Sequence, residues 1–275
     1  MSRFATQTAY RGREPLTDEM MQRIAPSIFA TEAHESRSER YTYIPTSTVV
    51  AALRAEGFQP FMVSQARTRS VEKKEHTKHM IRMRQANQFN ADRGEEVNEI
   101  ILINSHDGTS SYQIIPGVFR VVCTNGLVSG KGNRDVKIRH SGNVIDNVIE
   151  GAFRVVEEFA LVDEHKEEMK SIVLDKQEQI IFARHALELR YETENKPAPI
   201  TAEQILRPWR QNDVKTDLWT TFNVVQENMI KGGVPIRTEK FTRTKTREVK
   251  GIDQNVRLNR TLWSLAEEMK KLKNG

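Results

Sequence analysis

The sequence predicts an α+β fold: an antiparallel β-meander of about four strands packed against a long helix, with a helical C-terminal part. Three observations carry this reading. Apolar and polar residues alternate in the segments between Phe58 and Val122. An Asp107-Gly108 turn signal separates two of those segments. Beyond Asn143 the apolar period changes to that of a helix.

The elements follow in order. Residues 1–40 are polar apart from a short helical pattern from Leu16 to Ile24, stopped by Pro26, and read as an N-terminal arm. The α+β core is expected over 41–191. It opens with a helix after Pro45, striped by Val49, Val50 and Leu53 and closed by Gly57. Phe58–Arg69 and Thr77–Phe89 read as strands, the second with Arg82 and Arg84 on one exposed side. Ile100 to Ile103 is a short apolar strand. His106-Asp107-Gly108 turns the chain, with His106 a bystander whose removal is silent, and Ser110–Val122 returns with a bulge at Pro116-Gly117. From Asn143 to Tyr191 an unbroken helix would run about 75 Å, so it either breaks near Asp163–Lys176 or reaches a neighbouring subunit. The latter predicts a homo-oligomer joined around Met169, Ile172 and Val173. After the Pro197/Pro199 linker, a helical region over 200–275 contains Asp217–Lys231, ended by Gly232-Gly233, and Ile252–Lys273.

Composition bounds the function. The 275 residues carry 42 Lys and Arg against 37 Asp and Glu, one cysteine, and no apolar run long enough to span a membrane. No secretory pattern opens the chain, so a reducing, cytoplasmic setting in a bacterial host is expected. The net +5 is uneven: residues 237–275 hold 11 basic and 5 acidic residues. Within them Arg237, Lys240, Arg243, Lys245, Arg247 and Lys250 form one run. A second run holds Arg67, Arg69, Lys73, Lys74, Lys78, Arg82 and Arg84, whereas residues 150–168 are acidic. Such separation suits a basic surface for a polyanion, and solvated surface is the competing explanation.

The candidate chemistry is sparse. His76 and His79 lack a metal-binding pattern, and no His-Glu-x-x-His, paired-cysteine or two-metal carboxylate motif exists, so neither metal nor cofactor is expected. Cys123 with His140 is a weak nucleophile–base pair, and a small buried cysteine is the simpler reading. Ser105 and Ser129 lack a nucleophile elbow, and no P-loop is present. No catalytic residue is assigned. The glycine loop with Lys131, Arg134, Lys137, Arg139 and His140 can hold phosphates. Trp219 and Trp263 fit core positions; Trp209, between Pro208 and Arg210, suits an exposed stacking surface.

Several stretches carry a family resemblance: Tyr41-Thr42-Tyr43-Ile44-Pro45-Thr46 to Gly57-Phe58, Ile103 to Ser110, Phe119 to Leu127, Arg139-His140, Asp217 to Asn228, and Arg257-Leu258-Asn259. Through them the chain resembles the phage/plasmid-like protein family catalogued as a domain of unknown function, number nine-three-two. The resemblance implies a protein of mobile elements and brings no established reaction. More distantly, a short helix, a meander and a long crossing helix are similar to Rad-type single-strand annealing proteins. Tyr43, Leu53, Phe58 and Phe61 occupy comparable places, while the glycine precedes Phe58 and the strand tryptophan is absent.

The function expected from all this is single-stranded DNA binding, with strand annealing in phage or plasmid recombination as its extension. The cations expected at the phosphates are Arg67, Arg69, Arg82, Arg84, Lys131, Arg134, Lys137, Arg139, Lys240, Arg243, Lys245, Arg247 and Lys250. A mobile-element interaction protein that inhibits a host defence enzyme, its acidic 150–168 stretch mimicking nucleic acid, is the alternative. A metal-dependent nuclease is the third reading.

Overall fold

The computed structural model describes residues 9–32, 43–68, 73–89, 96–120, 125–128, 135–140, 142–191, 198–237 and 242–274. The chain divides into two compact units, one comprising residues 1–127 and 133–159, the other 128–132 and 160–275. The division thus falls after Phe159, where the sequence placed it between 191 and 200.

The first unit is built on a curled antiparallel sheet, a half-barrel. Its strands are β1 (Ala9–Arg11), β2 (Phe58–Gln65), β3 (His79–Gln85), β4 (Glu96–Asn104), β5 (Tyr112–Arg120) and β6 (Asn125–Val128), side by side in that order, with β7 (Val136–Ile138) also on β5. The expected meander is β2 to β5. The further strands are three or four residues long, too short for alternation to register. The expected bulge is displaced: Pro116 pairs with Ile100 and Gly117 with Glu99 in unbroken register, and the irregularity lies in β2 between Pro60 and Met62.

Helices α1 (Asp18–Ile24), α2 (Thr46–Ala55) and α3 (Val144–Glu157) cover one sheet face. Val49, Val50 and Leu53 from α2 and Val144, Val148, Ala152 and Val155 from α3 pack with Val63, Ile81, Met83, Ile100, Leu102 and Ile114. The N-terminal stretch is no detached arm. Its few apolar residues, Leu16, Met21, Ile24 and Ile28, join this same core. β1 pairs with β2, and Arg54 of α2 binds both the Leu16 carbonyl (2.8 Å) and the Asp18 carboxylate (2.9 Å).

The second unit contains α4 (Phe159–Ser171, its first residue ending the first unit), α5 (Lys176–Tyr191), α6 (Ala202–Ile205), α7 (Leu218–Lys231), the hairpin β8 (Pro235–Arg237) and β9 (Arg243–Lys245), and α8 (Ile252–Asn274). Asp217 caps α7 by accepting from the Thr220 N–H at 2.7 Å. Every residue of α7 from Leu218 to Ile230 is buried, against α5, α6 and α8. Trp219 and Trp263 meet edge-to-face in this core, as expected of them.

The 143–191 stretch is three helices, interrupted at Glu158 and at Ile172–Asp175. The second break is specified: the Asp175 and Glu178 side chains each accept the other's backbone N–H, at 2.9 and 2.8 Å. Between the helices the backbone bonds Thr216 and Leu218 instead. Met169 and Ile172 are buried within their own chain, which removes the length argument for a joined subunit, while Val173, the third residue expected at that contact, is exposed.

Candidate nucleic-acid interface

Of the basic run after α7, Arg237, Arg243 and Lys245 lie in the β8–β9 ribbon. Its register sets Arg237 opposite Arg243 and Pro235 opposite Lys245, so Arg237, Arg243 and Lys245 share one ribbon face, with Ile236 and Thr244 on the other. All three cations are exposed, as are Arg247 and Lys250. Lys250 pairs loosely with Glu248 at 3.7 Å. Like charges directly opposite across an antiparallel pair repel, with Cβ atoms about 5 Å apart. An anion that bridges them converts that repulsion into attraction. Lys240 lies outside the described residues.

The other expected cations divide. Arg67 follows β2 and is exposed; Lys137 on β7 and Arg139 after it are exposed as well. These three belong to the first unit. Arg69, Lys131 and Arg134 lie outside the described residues, as does Cys123.

Arg82 and Arg84 require a correction. They stand on the sheet face away from the helices, yet are only 2% and 5% exposed, because the curled sheet encloses that face too. Both bind Glu99, Arg82 Nη1 at 3.4 Å and Arg84 Nε at 3.0 Å, and Arg11 adds a third guanidinium at 2.8 Å. Arg82 also donates to the Leu127 carbonyl at 3.0 Å. Arg84 lies over the Phe61 ring and Arg11 over the Phe119 ring. Burial alone would raise the Glu99 carboxyl, but the Arg11 and Arg82 guanidiniums outweigh it and hold it at about 2. Burial also lowers Arg82 to about 10, against the pull of Glu99. Enclosed and bound to Glu99 in this way, neither strand arginine reaches a phosphate.

On the helix-covered face, the first unit buries a polar chain that the sequence did not reveal. Ser27 donates its hydroxyl proton to Gln65 Oε1 (2.9 Å), so its oxygen accepts from His79 Nδ1 (2.9 Å). His79 Nε2 then accepts the Thr46 hydroxyl proton at 2.9 Å. Thr46 Oγ1 in turn accepts from Asn104 Nδ2 (3.0 Å) and His106 Nε2 (3.1 Å). This order makes His79 the Nδ1–H tautomer and His106 the Nε2–H tautomer, and leaves the buried Nδ1 of His106 without a hydrogen-bond partner among the described residues. Burial, with His106 close by, lowers His79 to about 3; burial, with His140 and His76 close by, lowers His106 to about 4. Ser27 and His79 have the spacing of a nucleophile and base, but both are fully buried and His79 stays neutral far below pH 7. His106 is therefore no bystander of its turn. The turn itself is as expected: Gly108 has φ +77°, and Asp107 accepts from Thr109.

The acidic 150–168 stretch is extensively paired on each side of the unit division. Glu150 binds Arg154 on α3; on α4, Asp163 binds Lys166, Glu167 binds Lys170 and Glu168 binds Lys270 of α8. Among the described residues no three His, Cys, Asp or Glu side chains gather as metal ligands. No helix among them is long and apolar enough to cross a membrane.

A family model described as a domain of unknown function, DUF932, matches residues 33–263. The chain belongs to the DUF932 family. This DUF932 chain is 48% identical over 268 residues to the UPF0380 protein YfjQ of Escherichia coli strain K12, covering 98% of this chain and 96% of that one. The UPF0380 protein YafZ of the same strain matches with the same identity and coverage. No solved structure matches. The similarity to Rad-type annealing proteins is not shown by these comparisons, and the long crossing helix it relied on is divided here.

Proposed function

We propose that this DUF932 protein binds single-stranded DNA through the β8–β9 ribbon, in the mobile-element setting its family resemblance implies. The observation that carries the reading is Arg237 directly opposite Arg243, with Lys245 on the same exposed face. Such a face gains from phosphates and is strained without them. A short ribbon of cations follows a flexible backbone and reads no base edge, so the binding is independent of sequence.

The test is fluorescence anisotropy of a labelled thymidine 20-mer over 50–300 mM salt. Log affinity should fall linearly with log salt, by about 0.7 per phosphate contact. The triple variant R237Q/R243Q/K245Q should reduce that slope by about 2. An unchanged slope in the triple variant, or no binding by the wild type at 50 mM salt, overturns the proposal.

A further inference from the structure

We infer that Trp209 is a stacking platform for an unpaired nucleobase. The inference rests on the single-strand reading above. Trp209 is 56% exposed, a large area for the most costly side chain to leave in water. It is also held in place. The indole Nε1–H donates to Asn228 Oδ1, and the Asn228 amide donates to the carbonyls of Ile205 (2.7 Å) and Arg207 (3.1 Å). Asn228 is 1% exposed on α7, so a buried amide inside a helix is devoted to the segment that presents the indole. The next residue is braced as firmly. Arg210 forms a two-pronged pair with Glu227 (2.7 and 2.6 Å) and reaches Asp213 at 3.0 Å, both carboxylates being buried.

With its N–H bonded internally, the indole offers a π-face and no donor. Stacking is the chemistry that remains, and it suits any base. Val214 is exposed on the same segment, and the cations beside it are what favour a nucleic acid. Arg207 and Lys215 are exposed on the same segment. Gln204 Nε2, on α6, bonds the Pro235 carbonyl of β8 at 3.1 Å, which ties this segment to the basic ribbon. From Gln204 to Trp209 is five residues, at most about 19 Å of chain. A strand whose phosphates lie on Arg237, Arg243 and Lys245 therefore has the indole within reach of a base.

The experiment compares wild type, Trp209→Ala, Trp209→Phe and R237Q/R243Q/K245Q on the thymidine 20-mer and on a 20-base-pair duplex. Trp209→Ala should weaken the single strand by about 5- to 150-fold, leave the salt slope unchanged and leave duplex binding unchanged; Trp209→Phe should recover part of the loss. Trp219 and Trp263 are buried, so unlabelled 20-mer should quench wild-type fluorescence and leave that of Trp209→Phe unaltered. Wild-type affinity in Trp209→Ala, or equal losses on single strand and duplex, overturns the stacking role. If the triple variant still loses salt slope in that case, the ribbon reading survives. A wild type that binds no 20-mer overturns both, and would leave Trp209 as a protein-docking residue.

Discussion

Two pairs of strand cations, Arg82/Arg84 on β3 and Arg243/Lys245 on β9, occupy the same pattern of alternate positions and have opposite fates. The first pair is enclosed and bound to Glu99; the second is exposed on a ribbon with Arg237 across from it. The difference lies in what surrounds the strand. The ribbon leaves the face of Arg237, Arg243 and Lys245 open, whereas the curled sheet of seven strands encloses the face of Arg82 and Arg84. Charge on one strand parity therefore signals solvent only when the sheet is open on that side. In the first unit the arginines maintain the fold; in the second they remain available for a ligand.

The contrast is broken most directly at Glu99. Glu99→Ala leaves Arg82 and Arg84 buried without their counter-charge and should cost about 3–5 kcal/mol in urea unfolding at pH 7. Arg243→Ala should stay within about 0.5 kcal/mol of wild type. Equal effects would mean that the two regions do not differ as described.

Acid sharpens the same contrast. The unfolded chain protonates His79 and His106 near 6.5, whereas the fold keeps them neutral down to about 3 and 4. Their folded values are depressed, so the unfolded state binds more protons in that window and stability falls as the pH drops below 6.5. Each histidine contributes about 1.4 kcal/mol per pH unit. Glu99 adds a later loss, beginning near its unfolded 4.5 and ending near its folded 2. Unfolding free energies at half-unit steps from pH 7 to 4.5 measure the first window, to which His140, also lowered by burial, adds, and His79→Gln should remove about 1.4 kcal/mol per pH unit from its slope. A flat profile there would show that the two imidazoles are not buried neutral.

The smallest effect belongs to the ribbon. Arg243→Glu places opposite charges across from each other at the Arg237 pair and should stabilise the protein by a few tenths of a kcal/mol. The same variant should bind the 20-mer more weakly than Arg243→Gln. A ribbon that gained stability and kept its affinity would separate charge from binding.

Much of the fold was legible. The meander, the Gly108 turn and the apolar stripe Leu218, Phe222, Val225 and Met229 of α7 each leave a local pattern. The Ile172–Asp175 break left one too, in the Asp175-Lys176-Gln177-Glu178 capping box, masked by the apolar Ile172-Val173-Leu174 that resembles a continuing helix stripe. The candidate site was half legible. Composition located the basic run, but the register that opposes Arg237 to Arg243 depends on where the hairpin turns. The burial of Arg82 and Arg84 had a signal in Glu99, a lone carboxylate before four apolar residues on the neighbouring strand. The Ser27–His79–Thr46–His106 chain had none, since its members come from four separate elements and meet only in the folded unit.

Gly126 carries a consequence for how this sequence can drift. A Cβ built there would stand 2.6 Å from Cζ of Arg82, closer than real atoms approach. Any side chain at 126 therefore displaces the guanidinium from its place between Glu99 and the Leu127 carbonyl. The two positions are coupled across 43 intervening places in the sequence, and a residue larger than glycine at 126 requires the Arg82 guanidinium to shift or a shorter residue at 82. A shorter residue at 82 would in turn leave Glu99 with Arg11 and Arg84 alone, so three sites on three strands constrain one another.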